Sequence, residues 1–121
     1  MDSLYANPFY YEIAFSYRDI PKEVQVMQEV IRRYSPIPVK RVLELGCGNS
    51  PHMLELLQRG YSYVGLDLSP EMLQYSREKA QQLGQSIELY RQNMNDFQLD
   101  TPVDFAFIML GSLYVKNTSE L

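Results

Sequence analysis

The chain has no tryptophan, one histidine (His52) and one cysteine (Cys47). A lone cysteine excludes an internal disulfide framework, and one histidine with scattered acids gives no metal-ligand spacing, so no metal site is expected. Positive charge is in short supply too. Against 15 Asp and Glu there are 11 Lys and Arg, a formal net charge of -4, which argues against an electrostatic nucleic-acid surface; nucleic acid is not an expected partner. Long apolar runs are missing as well. The longest, residues 105–110, falls far short of the roughly 18 residues of a membrane span, so no membrane partner is expected. The first residues, MDSLYANPFYYE, lack the basic start and apolar run of a signal peptide, and a cytoplasmic location is the expectation.

What remains is enough for one core: 121 residues, 45% of them hydrophobic. The opening 35 residues read as two amphipathic helices. Asn7-Pro8 starts the first, with Phe9, Ile13 and Tyr17 every four residues; Asp19 to Pro21 starts the second, with Val24, Met27, Ile31 and Tyr34 as its stripe. Pro36 and Pro38 end it. Residues 1–37 are therefore expected to be a helical segment, and 38–121 the front part of an α/β domain.

From residue 39 strand and helix signals alternate. Residues 39–45 form an apolar run, Gly46-Cys47-Gly48 a turn, and Ser50-Pro51 the start of a helix bearing Met53, Leu54, Leu56 and Leu57. Residues 61–66 give a second strand. Ser69-Pro70-Glu71 opens a second helix whose inner face is expected to be Met72, Leu73, Ser76, Ala80 and Leu83. Ile87 and Leu89 belong to a third strand, and residues 103–110 to a fourth that reads as buried on both faces. This alternation predicts a parallel sheet with right-handed crossovers and helices on its faces. After the fourth strand, Asn117 to Ser119 signal another helix where the sequence stops at Leu121. The expectation is a truncated domain with an open sheet edge, able to self-associate there.

Chemistry concentrates in the loops. Glycine at a strand end permits a tight turn and close ligand approach, and the next helix start offers amide protons to an anionic group. In an open α/β sheet that ligand lies beyond the carboxyl ends of the strands. A dinucleotide fingerprint wants a third glycine where Pro51 stands and has no use for Glu44, so a nicotinamide cofactor is disfavoured. Asp67 ends the second strand 19 residues after Gly48, where a carboxylate can accept from ribose hydroxyls, and a nucleoside ligand is implied.

The run Glu44-Leu-Gly46-Cys-Gly48, followed by Gly65-Leu-Asp67-Leu-Ser69-Pro-Glu-Met72, resembles class I, Rossmann-like S-adenosylmethionine-dependent methyltransferases of the small-molecule type. The likeness continues through Asn93-Met94-Asn95-Asp96-Phe97 and spans residues 38–115. It implies strand order 3-2-1-4 and S-adenosyl-L-methionine as cofactor. Gly46, Cys47 and Gly48 would pack on its methionine part, with Glu44 near the ammonium group, directly or through water. Asp67 would hold the ribose, Leu68 and Met72 flank the adenine, and Asn93 and the Met94 amide meet its edge. Relatives often carry aspartate at position 93. Asn93 can still accept that bond without charge, and Asp96 is a nearby substitute. Leu110, Gly111 and Ser112 would approach the reacting methyl, with Tyr114 a further wall; the N-terminal segment, residues 1–37, resembles the helical lid of such enzymes, from which Tyr11 and Arg18 could reach the methionine carboxylate.

Such chemistry asks little of a protein beyond aligning a nucleophile with an electrophilic methyl and excluding water. No catalytic base is assigned. His52 reads as a solvated or cofactor-adjacent helix residue, and Cys47 as a small loop residue rather than a nucleophile. The resemblance points to methyl transfer to a small-molecule acceptor; the alternative is a non-catalytic cofactor-binding fragment or subunit completed by a partner chain.

Overall fold

The computed structural model describes residues 19–108. Helix α1 (Ile20–Tyr34) begins where the sequence places it: Asp19 caps it, accepting from the Lys22 amide at 3.2 Å, and Pro21 sits in its first turn. Glu23 near its start and Arg32 and Arg33 near its end suit the helix dipole. Val24 and Met27 are buried and Ile31 packs on the core, whereas Tyr34, expected in the same stripe, is 75% exposed. The helix expected before Asp19 lies outside the described residues.

The remaining elements are β1 (Arg41–Leu45), α2 (Met53–Gln58), β2 (Ser62–Asp67), α3 (Pro70–Gln82), β3 (Glu88–Arg91) and β4 (Phe105–Ile108). All pairings are parallel and the order is β3-β2-β1-β4. That is the 3-2-1-4 order expected of the Rossmann-like fold. Among the described residues β4 pairs only with β1 and forms one margin of the sheet.

Strand alternation sorts the core into two faces. Val42, Tyr63, Phe105 and Phe107 face one way and meet Val24 and Met27 of α1, Met53 and Leu56 of α2, and Ala80 of α3. Leu43, Val64 and Leu66 face the other way, covered by Met94, Phe97, Leu99 and Val103 of the segment after β3. The described helices thus line one face, and a loop covers the opposite one.

Three local expectations are corrected. The helix after the glycine turn begins at Met53, with His52 at its boundary and no side-chain cap, instead of starting at Ser50, because Ser50 has φ 56°, a left-handed conformation that cannot propagate a right-handed helix. Leu83 is 57% exposed, since α3 ends at Gln82 and Gly84 turns the chain away. In β4, Ala106 is exposed although its register partner Leu43 is buried, so the strand is not buried on both faces as expected.

At the opposite end of the strands, Asp104 accepts both the Lys40 and Arg41 amides at 2.9 Å, and Arg41 pairs with Glu88 of β3. These contacts, holding Asp104 below the ordinary aspartate range chiefly through the Arg41 and Lys40 amides, pin β4 beside β1. The register they set brings the carboxyl ends of β1 and β2 to one rim.

Candidate functional site

That rim is built first by backbone. Leaving β1, the chain turns through Gly46 (φ 61°) and Gly48 (φ 55°). A Cβ on Gly48 would meet nothing within 4 Å, so the glycine serves the left-handed backbone, and its outer face is open to a ligand.

The loop amides are mostly used inside the protein. Cys47 N donates to Leu66 O at 3.0 Å, Ser50 N to Cys47 O at 2.8 Å and Met53 N to Ser50 O at 3.2 Å. Gly48 N donates to Asp67 Oδ2 at 2.8 Å. This corrects the expectation of amide protons ready for an anion: with these four committed and two carboxylates nearby, the turn is poorly suited to a pyrophosphate.

Asp67 joins the site from β2. Its Oδ1 accepts the Ser69 amide at 2.9 Å, and Ser69 in turn caps α3, its hydroxyl accepting from Met72 N at 3.3 Å. Each carboxylate oxygen has a further lone pair, and the residue is only half-buried, so acceptor capacity toward ribose hydroxyls remains. Leu68, beside it, is 58% exposed and offers an apolar surface. Met72 faces the core, fully buried, so of the two residues expected to flank an adenine only Leu68 presents itself.

Cys47 is buried with its thiol against β2: a Cβ on Gly65 would come within 2.9 Å of Sγ. Burial pushes the thiol's pKa up, and the Glu44 and Asp67 charges add to the shift, so Cys47 is no nucleophile and can meet a ligand only through its backbone. Ser76 of α3 donates to Gly48 O at 3.2 Å, steadying the turn from above.

Asn93 and Met94 follow β3 on the same rim. Asn93 Oδ1 accepts the Asn95 amide at 2.8 Å, and Asp96 N donates to Asn93 O at 3.0 Å. This local turn occupies part of the acceptor capacity expected for an adenine. Met94 is half-buried in the second-face cluster and Asp96 is exposed. Leu110, Gly111, Ser112, Tyr114, Tyr11 and Arg18 lie outside the described residues.

Glu44 occupies a different place from the one expected. It points toward α1 and α2 and is 2% exposed, with Oε1 accepting from the Tyr63 hydroxyl at 2.6 Å. Its Oε2 lies 3.4 Å from His52 Nδ1, and His52 Nε2 lies 2.8 Å from Glu23 Oε1 on α1. Direct contact with an ammonium group would need an access that this carboxylate lacks here. His52 is fully buried, which corrects the solvated reading. Burial lowers its pKa, but hydrogen bonding and charge from Glu44 and then Glu23 outweigh that and raise it above the ordinary histidine range. Tyr63 is held well above the ordinary tyrosine range by burial and by Glu44.

Tyr63, Glu23 and Ser76 were not singled out by motif. A signal existed for Tyr63: in a parallel pair, a tyrosine two residues before the partner of Glu44 shares its face. Glu23 carried no comparable sign, since first-turn acids are common on any helix.

The rim as a whole fits S-adenosylmethionine better than a dinucleotide. An open glycine backbone, a ribose-capable carboxylate and an exposed leucine suit a nucleoside, and nearby carboxylates favour a sulfonium or ammonium cation over a pyrophosphate. Among the described residues no His, Cys, Asp and Glu group is arranged to hold a metal ion, and no helix is long and apolar enough to cross a membrane.

A family model described as a methyltransferase domain matches residues 42–120. A provisionally named methyltransferase of Geobacillus sp. strain WCH70 is 31% identical over 96 residues, covering 78% of this chain and 39% of the relative. The dTDP-3-amino-3,4,6-trideoxy-alpha-D-glucopyranose N,N-dimethyltransferase of Streptomyces venezuelae is 26% identical over 105 residues, 86% of this chain and 42% of that protein. Among solved structures, an amino pentose methyltransferase of calicheamicin biosynthesis from Micromonospora echinaspora, bound to S-adenosylmethionine, superposes with a TM-score of 0.71 at 24% identity, covering 83% of this chain and 41% of that one. The chain spans about two fifths of the length of these proteins.

Proposed function

Since the chain belongs to the class I, Rossmann-like S-adenosylmethionine-dependent methyltransferase family, we propose that its rim binds S-adenosylmethionine and contributes to methyl transfer onto a small-molecule acceptor. The observation that carries this reading is the bond from Gly48 N to Asp67 Oδ2 at 2.8 Å, which fastens an open glycine turn to a ribose-capable carboxylate. When bound, the cofactor supplies an electrophilic methyl on a sulfonium. The chain's own part would be binding and orientation: Gly46 and Gly48 would let the methionine part approach the backbone, Asp67 would accept from the ribose, and Leu68 would offer an apolar surface to the base. The Asn93 side chain and the Met94 amide would be the groups available to the adenine edge.

For the acceptor we favour a small molecule with a nucleophilic amine. The support is that two relatives named above methylate amino sugars.

Photo-crosslinking with S-adenosylmethionine labelled in its methyl group tests the binding claim. We expect labelling that excess S-adenosylhomocysteine suppresses and NAD does not; labelling indifferent to S-adenosylhomocysteine would contradict it. Transfer of label to a nucleotide-linked amino sugar tests the acceptor class, and transfer to none of a panel of primary and secondary amines would reject it.

A further inference from the structure

The group least explained by cofactor binding is the buried chain of polar side chains beneath the glycine turn. His52 is enclosed with a carboxylate at each ring nitrogen: Glu23 of α1 at 2.8 Å from Nε2, and Glu44 of β1 at 3.4 Å from Nδ1. A neutral imidazole would aim a lone pair at one of these carboxylates. With a proton on both nitrogens it meets each anion with positive charge. The Nε2 contact has the length of a charge-assisted hydrogen bond, and the Nδ1 contact is a looser ionic one. Phe107 of β4 closes the side of the ring edge-on, with centroids 6.2 Å apart.

The placement in the chain matters more than the charge. Glu44 is two residues before Gly46, and His52 immediately precedes the helix that follows the turn. Their contact therefore ties together the two ends of the loop containing Gly46 and Gly48. Tyr63 fixes the other Glu44 oxygen at 2.6 Å, and Glu23 extends the tie to α1. A loop held at both ends loses less conformational freedom when a ligand orders it.

We propose that His52 is a positioning residue for the cofactor loop, clamping Glu44 on the strand side of the glycine turn to Glu23 on α1 and so pre-forming the backbone against which the cofactor docks. The proposal rests on the cofactor reading above. It gives Glu44 a role as anchor of the loop instead of a direct ligand.

Because His52 is the chain's one histidine, nitrogen-15 NMR reads its state without ambiguity. In the ligand-free protein the ring is expected to titrate above the ordinary histidine range, with both nitrogens protonated below that point, and Glu23→Gln should lower the pH at which it titrates. S-adenosylhomocysteine titration should show about tenfold weaker binding in His52→Gln and a smaller loss in Glu23→Gln. Wild-type affinity should fall as pH rises through the titration of His52, and the His52→Gln profile should be flat there. The titratable groups around the ring are Glu23, Glu44, Tyr63 and Cys47. Tyr63 and Cys47 stay neutral in this range, because burial holds both above their ordinary values.

Equal affinity in wild type and His52→Gln, or a ring that titrates at the ordinary histidine value and ignores Glu23→Gln, overturns the proposal while leaving cofactor binding intact. No binding by wild type at any pH, with a doubly protonated ring, places the failure in the cofactor reading and removes the positioning role with it. Should His52→Gln not fold, Glu23→Gln and the wild-type pH profile decide.

Discussion

Asp67 accepts the Gly48 amide at 2.8 Å through one carboxylate oxygen and the Ser69 amide at 2.9 Å through the other. One side chain thus ties the turn after β1 to the start of α3, and both tethers end on the group that would hold a ribose.

Replacing Asp67 by Ala should weaken S-adenosylhomocysteine binding by about 1.5 to 3 kcal/mol, the range for a lost hydrogen bond to a charged group. Calorimetric titration of the variant checks this. An unchanged affinity would show that Asp67 only organises the loop.

Ser50 holds a φ of 56°, a left-handed conformation that is unfavourable for a residue with a side chain and that glycine adopts freely. Ser50→Gly should raise unfolding free energy by roughly 1 kcal/mol, since a left-handed conformation costs an L-residue about 1–2 kcal/mol. Urea denaturation measures the change, and a loss of stability would show that the Ser50 side chain makes a favourable contribution.

Gly65 has the opposite character: its backbone is ordinary but its surroundings are full, with Cys47 Sγ and Leu89 Cδ2 each 2.9 Å from where a Cβ would stand. Gly65→Ala should destabilise by about 1–3 kcal/mol through overpacking. Part of that loss should be recovered in a Cys47→Ala background, where the thiol is gone. Strict additivity of the two substitutions in chemical denaturation would refute the contact.

His52 gives the fold a pH dependence of predictable sign. Its folded-state pKa is raised above the ordinary 6.5, so its stabilisation is complete below that value. It is lost as pH rises through the raised folded value. The gap in melting temperature between wild type and His52→Gln should therefore narrow from about pH 6 upward. A gap that widens with pH would contradict the assignment of charge.

The α/β alternation and the strand order were legible because they follow from period, turn chemistry and resemblance to a family. Asp19, Ser69 and the two prolines marked helix ends through local rules that the fold obeys. What stayed hidden depended on contacts between elements. No periodicity could show that Glu44, in a strand, would meet His52 and reach a helix 29 residues before that histidine. Nor could an apolar strand signal reveal that Ala106 stands at the sheet margin with one side uncovered. The Leu83 error has a similar origin: its spacing fits the helix stripe, but α3 ends one residue earlier.

Calorimetric titration of the wild-type chain with S-adenosylhomocysteine and, separately, with NAD measures the central claim most directly. Saturable binding of S-adenosylhomocysteine, with no heat from NAD at the same concentrations, is the result predicted. Binding of NAD with no response to S-adenosylhomocysteine would contradict the account.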